Sequence, residues 1–223
     1  MDEKKIPLAL FDFDGTMIRG DSIVPFLSYA RKRGAVGMMG YLKGCLCGGL
    51  FVLHLMDGGK AKKKALSFYQ HLDDECRESL DQSFAEQYLL PKVYKKAKDT
   101  VSEHRKNGLH TILVSASTEN YMQYVYERLG FSALICTKMD EKGRVMKNCH
   151  GAEKVIRIEE YLQSQGIHPD FSASFAYGDS RGDLPMLKLC GHPVKVNPKK
   201  ALQKAAPEME EACWLEAMPL SGR

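Results

Sequence analysis

The sequence predicts an α/β protein, a doubly wound parallel sheet interrupted early by an all-helical insertion. Three observations carry this. Short apolar runs of strand length alternate with segments whose apolar residues recur at helical spacing, as in consecutive βαβ units. That alternation lapses over residues 17–90, which hold only helical patterns. Asp12, Ser115 and Asp179 each stand where a predicted strand runs out, the edge at which parallel sheets gather their ligands. The division that follows is a core of 1–16 and 91–223 with a helical insertion of 17–90.

In chain order, Ile6 to Phe11 is apolar and of buried-strand length, and Gly15 breaks it soon after. Asp21-Ser22 reads as a helix start, with Pro25 tolerated in the first turn and Gly34 closing a helix near Arg33. Ala35 to Met56 is almost wholly apolar and rich in glycine, and Asp57-Gly58-Gly59 ends it. Helical patterns cover Lys60 to Gln70 and Asp73 to about Leu89. Pro91 opens a further helix that stops at Asn107-Gly108. Leu109 to Val114 is a strand ending at Ser115, and Thr118 to Leu129 is a helix closed by Gly130. Ala133 to Thr137 and Val145 suggest two short strands around a 138–144 turn. Ala152 to Gln165 is helical, with Val155, Ile158 and Leu162 on one face. Ser174 to Tyr177 is a strand running into Gly178-Asp179, Leu184 to Leu189 a short helix, and Pro193 to Val196 a last strand. The acidic, then loosely apolar tail from Pro207 to Arg223 either packs on the sheet or stays mobile.

Composition narrows the function classes. The chain has 223 residues and a formal charge of +4, enough to favour small anions and too little to argue for nucleic acid. Seven scattered cysteines form neither a disulfide framework nor a paired metal motif, so a reduced, cytoplasmic setting is expected. The charged start, Met1 to Pro7, does not read as a secretory signal. Nothing in the sequence fixes the oligomeric state.

Four separated pieces suit one phosphate-handling site. In Asp12-Phe13-Asp14-Gly15-Thr16, one carboxylate can attack phosphorus and its neighbour can give and take the proton. Ser115 can donate to a phosphoryl oxygen, and Lys154, at a helix start, supplies a cation. Gly178-Asp179-Ser180-Arg181-Gly182-Asp183 offers two carboxylates that, with Asp12, suit a hard oxygen-liganded cation such as Mg2+. Asp-x-Asp-Gly-Thr by itself also fits a plain acidic turn; the other three pieces are what lift it above that.

On these motifs the chain resembles the haloacid dehalogenase superfamily, and within it the phosphoserine-phosphatase-like branch, over about Leu8 to Ala206. The resemblance implies a Rossmann-like hydrolase core with a helical cap closing over small substrates. It implies Asp12 as nucleophile, Asp14 as acid/base, and Ser115, Ala116 and Lys154 around the phosphoryl group. It also implies Mg2+ held by Asp12, Asp179 and the backbone carbonyl of Asp14, with Asp183 in support. The presence of Asp14 favours a phosphatase over a dehalogenase, whose halide needs no proton, or a pump, whose aspartyl-phosphate must last. The chain departs from the branch in having Asp21 where phosphoserine phosphatases carry Glu, Ala116-Ser117 in place of glycines, and Gly182 in place of Asn. Asp21 and Arg181 are therefore only candidate substrate contacts, and the ester is a small metabolite or a lipid head-group phosphate, phosphoserine-like or phosphatidylglycerophosphate-like. A phosphotransferase or phosphomutase using the same intermediate is one alternative; a non-catalytic membrane-associated binding module is another.

The 35–56 run is read first as a buried cap helix or helical pair. The alternatives are an interfacial helix giving peripheral membrane contact and, with about 33 Å of helix, a membrane span. Arg31-Lys32-Arg33 and Lys60, Lys62-Lys63-Lys64 flank it. Cys45, Cys47 and His54, in apolar surroundings, are read as packing residues rather than metal ligands, as are Met38, Met39 and Met56. Cys149-His150 is read as loop, and His192 as structural.

Overall fold

The computed structural model describes residues 5–53 and 55–215. Its centre is β1 (Leu8–Phe11), buried along its whole length. The other strands are β2 (His110–Thr118), β3 (Ala133–Thr137), β4 (Phe175–Gly178), β5 (His192–Val196) and β6 (Glu210–Ala212). They form one parallel sheet in the order β3-β2-β1-β4-β5-β6. The order reverses at β1, which makes the carboxyl ends of β1 and β4 the crevice of a doubly wound sheet.

Side-chain alternation sets the two layers. Leu8 and Leu10 pack with Ile112, Val114, Ile158 and Leu162 on one face of the sheet. Ala9 and Phe11 pack with Leu113, Val125, Tyr177 and Val196 on the other. Both faces are covered, which is why these strands read as unbroken apolar runs.

The inserted segment is helical throughout, with α1 (Ile23–Lys32), α2 (Met38–Val52), α3 (Gly58–Ala65) and α4 (Asp74–Phe84). The chain closes the neck of this cap where Tyr94 N–H donates to the Met17 carbonyl at 2.9 Å. The core helices follow as α5 (Lys95–Lys106), α6 (Glu119–Leu129), α7 (Ala152–Ser164), α8 (Leu184–Leu187) and α9 (Lys200–Ala205). Gly130 ends α6 in the left-handed conformation, the Gly stop read from the sequence. The base of the cap is aromatic: Phe26 and Phe84 lie 5.0 and 5.2 Å, centroid to centroid, from fully buried Tyr121 of α6.

Several expectations are corrected. The Lys60–Gln70 helix ends at Ala65 and continues as a 3-10 turn over Ser67–His71. The Asp73 helix tightens and widens in turn, passing from α4 into a π segment at Ala85–Leu89 and a 3-10 turn at Leu90–Lys92, so the next helix begins only at Lys95. β2 does not stop at Ser115 but runs to Thr118, with a register shift between Val114 and Thr118 that makes 115–117 an irregular, bulged stretch of the strand. Val145 forms only an isolated bridge with Met139, because the 138–144 turn is too short to carry a ladder. In the tail, 210–212 adds β6 to the sheet edge and Trp214 is buried against Tyr177.

The largest correction concerns the apolar run. α2 has 15 residues, of which Gly44 and Cys47 alone are buried, so it is not a buried cap helix. Met38, Met39 and Cys45 are exposed and do not pack as expected. His54 lies outside the described residues. No helix among the described residues is long and apolar enough to cross a membrane.

Candidate active site

The site is built from the carboxyl ends of β1, β2 and β4 and the first turn of α7. Asp12 leaves β1 with its backbone N–H held by the Tyr177 carbonyl at 2.9 Å, so the strand pairing itself aims the carboxylate. Asp12 Oδ1 accepts from Lys154 Nζ at 2.6 Å, and Oδ2 accepts from Thr16 Oγ1 at 3.0 Å. Lys154 is 1% exposed and also donates to Asp183 Oδ1 at 2.7 Å and the Val114 carbonyl at 3.0 Å. Asp183 is fixed in turn by a capping box, its Oδ2 accepting from Ser180 N–H and Oγ at 3.0 and 2.7 Å.

Asp179 completes the acidic group. Ligand oxygens of Asp12, Asp179 and Asp183, all buried, lie within 4.8 Å of one another. Gly15, at φ +87°, passes so close that a Cβ there would stand 2.2 Å from Asp179 Oδ2. Only glycine fits, because both the backbone conformation and the space forbid a side chain. Three buried carboxylates facing two lysines leave a net negative pocket of hard oxygens, a donor set that suits Mg2+.

Electrostatics follow from burial. Burial, reinforced by Asp183, raises Asp12 to about 7 against the opposing pull of Lys154. Burial also raises Asp179, which Lys199 partly offsets. For Asp183 burial is outweighed by Lys154 and the Ser180 hydrogen bonds, and its carboxyl sits below the usual range. Burial would strip the proton from Lys154, but Asp12 and Asp183 more than compensate and the ammonium is held firmly.

Asp14 points elsewhere. Its Oδ2 accepts from Ser22 Oγ at 3.0 Å and from Ser117 Oγ, and Ser22 Oγ is 2.7 Å from Ser117 Oγ and 2.9 Å from Tyr121 Oη. Its Oδ1 is buried with no partner among the described residues. Burial, then the charge of Asp21, pushes this carboxyl well above the ordinary range. One oxygen is thus tethered by hydroxyls and the other has no partner among the described residues, and the upward shift favours the protonated form that a proton donor needs.

The remaining candidates are placed as follows. Ser115 is fully buried and its Oγ accepts from Ser117 N–H at 3.0 Å. The Ala116 carbonyl accepts from Thr137 Oγ1 at 2.6 Å and from Lys62 Nζ of α3. Asp21 is exposed, its Oδ1 accepting from Ile23 N–H at 2.8 Å at the start of α1. Arg181 is exposed on the turn between Ser180 and Asp183. His150 occupies the room left by Gly182, where a Cβ would meet its Nε2 at 2.3 Å, so Cys149-His150 is loop that also walls the acidic turn.

Sequence reasoning missed Lys199, which reaches Asp179 Oδ2 at 2.7 Å. It follows β5 in Asn197-Pro198-Lys199, so the strand-end rule that found Asp179 could have found it. It also missed Ser22, Ser117 and Tyr121 around Asp14, and Lys62, whose Nζ joins the cap to Asn148 Oδ1 at 2.7 Å. Apart from Ser22, eight residues from Asp14, those contacts cross between distant segments and leave no local pattern.

Comparison with known proteins agrees with this geometry. A family model described as haloacid dehalogenase-like hydrolase matches residues 9–188. The chain is 27% identical over 221 residues to a histidinol-phosphatase of Neisseria meningitidis, covering 90% of this chain and 95% of that protein. A crystal structure of a protein of unknown function from Bordetella pertussis superposes with a TM-score of 0.86 at 20% identity, covering 95% of this chain and all of that one. A substrate-bound phosphoserine phosphatase superposes at 0.65 with 18% identity, covering 95% and 93%.

Proposed function

The chain belongs to the haloacid dehalogenase-like hydrolases, and on that premise we propose that it is a Mg2+-dependent phosphomonoesterase working through an aspartyl-phosphate on Asp12. The observation that carries this is one lysine, Lys154, bonded at 2.6 and 2.7 Å to two carboxylates of a single buried acidic cluster. A structural ion pair alone is a poor use of such burial, since desolvation offsets much of the attraction. A cluster that must receive a phosphate dianion is a good one.

In the proposed reaction Asp12 attacks phosphorus and the ester P–O bond breaks, the leaving oxygen taking the proton from Asp14. Asp14 then removes a proton from water as that water attacks phosphorus, which frees phosphate and restores Asp12. The Ser115 hydroxyl, the Ala116 loop and the Lys154 ammonium hold the equatorial oxygens. Asp12, Asp179 and the Asp14 carbonyl would hold Mg2+, with Asp183 in support, and the ion would supply positive charge that cancels the repulsion between carboxylate and dianion. The cap, 17–90 in this reading, closes the site through Lys62 against the Ala116 loop. Asp21 and Arg181 remain candidate contacts for the part of the substrate beyond phosphorus.

The substrate class is a small-metabolite or lipid head-group phosphate monoester. The test is phosphate release by the full chain from an aryl phosphate and a panel holding histidinol phosphate, phosphoserine, phosphocholine and phosphatidylglycerophosphate. Release that EDTA abolishes and Mg2+ restores is expected. Phosphate appearing on an added alcohol instead would make it a transferase, and no turnover on the whole panel with Mg2+ would overturn the reading.

A further inference from the structure

α2 is built inside out. Gly40, Gly44 and Gly48, four residues apart, turn toward α1 and the loop after it, where added Cβ atoms would meet Val36, Leu27 and Val24 at 2.9, 2.3 and 3.9 Å. Its large side chains face away. Met38, Met39, Leu42, Leu46, Val52 and Leu53 are between 54% and 77% exposed. Met38, Leu42, Leu46 and Leu53 fall on one helical face with exposed Gly49 between the last two, so this is an apolar stripe rather than scattered exposure. A helix of this length presents about 22 Å of such surface. Isolated exposed apolar residues need no explanation, whereas a contiguous stripe marks an interaction site.

Charge identifies the occupant. From Ser22 to Leu72 the chain carries eight lysines and arginines and one acid, Asp57, although the whole protein is only +4. Lys43 is exposed beside the stripe, and Lys60, Lys63 and Lys64 are exposed on α3, which packs beside α2. Among the described residues these four make no ion pair. A second copy is a poor match, because a two-fold interface would set this basic surface against itself. The stripe also holds methionine, leucine and valine without the tryptophan, tyrosine and arginine anchors that dominate protein interfaces. An apolar face with lysines at its border, lying flat, is instead the chemistry of a helix in the headgroup region of an anionic bilayer.

We propose that the α2–α3 hairpin docks the protein on the surface of membranes containing anionic lipid, with α2 lying in the interface plane. This surface is independent of the catalytic chemistry, although Lys62 on the opposite side of α3 faces the Ala116 loop, so docking places the cap of the site at the lipid surface.

Co-sedimentation of the full chain with vesicles tests it. Binding is expected to vesicles of phosphatidylcholine with phosphatidylglycerol, to weaken about tenfold or more without the anionic lipid, and to fall as salt rises. Leu46→Glu/Leu53→Glu, at exposed positions, should lose vesicle binding while keeping the wild-type circular dichroism and aryl phosphate hydrolysis. Because fold and turnover are read separately, failure here is distinguishable from failure of the phosphatase reading. Three results would overturn the proposal: no binding to anionic vesicles, equal binding to neutral ones at all salt concentrations, or a dimer in light scattering that the glutamates split while vesicles stay unbound.

Discussion

The catalytic edge of the sheet and the α2–α3 hairpin treat charge and hydrocarbon in opposite ways. At the edge, Asp12, Lys154, Asp179 and Asp183 are all at most 5% exposed, inside walls made by β1, β2 and β4. On the hairpin, leucines and methionines face outward among exposed lysines, and Gly40, Gly44 and Gly48 take the inner positions. Burial costs a charge unless it is paired, and exposure costs an apolar surface unless something covers it. Each arrangement is therefore incomplete in isolation. The edge lacks a partner for its excess negative charge, and the hairpin lacks a cover for its stripe. Each departure from ordinary packing sits where a ligand of matching chemistry belongs.

Substitutions can break this contrast at graded depths. Asp12→Asn should cut aryl phosphate hydrolysis by about 10^4-fold or more while the fold survives, since it removes the proposed nucleophile and keeps the shape. Steady-state kinetics and circular dichroism check it, and activity near the wild-type level would dismiss Asp12. In the cap, Phe84→Ala should destabilise by about 3–5 kcal/mol in urea unfolding, because Phe84 is fully buried between Phe26 and Tyr121. Leu46→Glu, at a position of the same cap that is 63% exposed, should change stability by less than about 0.5 kcal/mol. Equal losses at the two positions would mean that the stripe is packed in solution.

Asp81 gives the pH-dependent form of the contrast. It is 2% exposed and accepts from Tyr69 Oη and from Asn120 Nδ2 at 2.6 Å, and burial raises it to about 7. Its folded value lies above its unfolded one, so the native state binds the extra proton. Its stabilising contribution is full below about pH 4 and is lost as pH rises through 7. Asp81→Asn should flatten the decline in stability between pH 5 and pH 8, by at most about 3 kcal/mol. Parallel pH profiles for variant and wild type would remove Asp81 from the explanation. Ser117→Ala deletes a hydroxyl whose hydrogen bond holds Asp14 down; it should raise the Asp14 pKa and lower kcat about tenfold, less at alkaline pH, with KM little changed.

How far the sequence carried the fold can be judged from particular residues. β1, Gly15, Gly130 and the Lys154 helix were legible because each depends on local rules: apolar runs, positive φ and helix periodicity. Asp12, Ser115 and Asp179 could be grouped from the sequence because parallel strands deliver their ends to one edge. The direction in which α2 faces was not legible from hydropathy, since an apolar helix reads alike whichever side is buried. Its four-residue glycine spacing was the available signal, small residues marking the side where backbones approach. Ser117 escaped because its partner, Asp14, is far away in sequence and met only through the fold, and Ser22, eight residues from Asp14, because it reads simply as a helix start.

The central proposition is that Asp12 carries the phosphoryl group between the two half-reactions. Acid-quenched turnover of an aryl phosphate with Mg2+, followed by peptide mass spectrometry, addresses it directly. A phosphoryl adduct on the peptide containing Asp12, absent from Asp12→Asn, is the expected result. Steady turnover with the adduct on another residue, or with none under conditions that trap acyl phosphates, would contradict it.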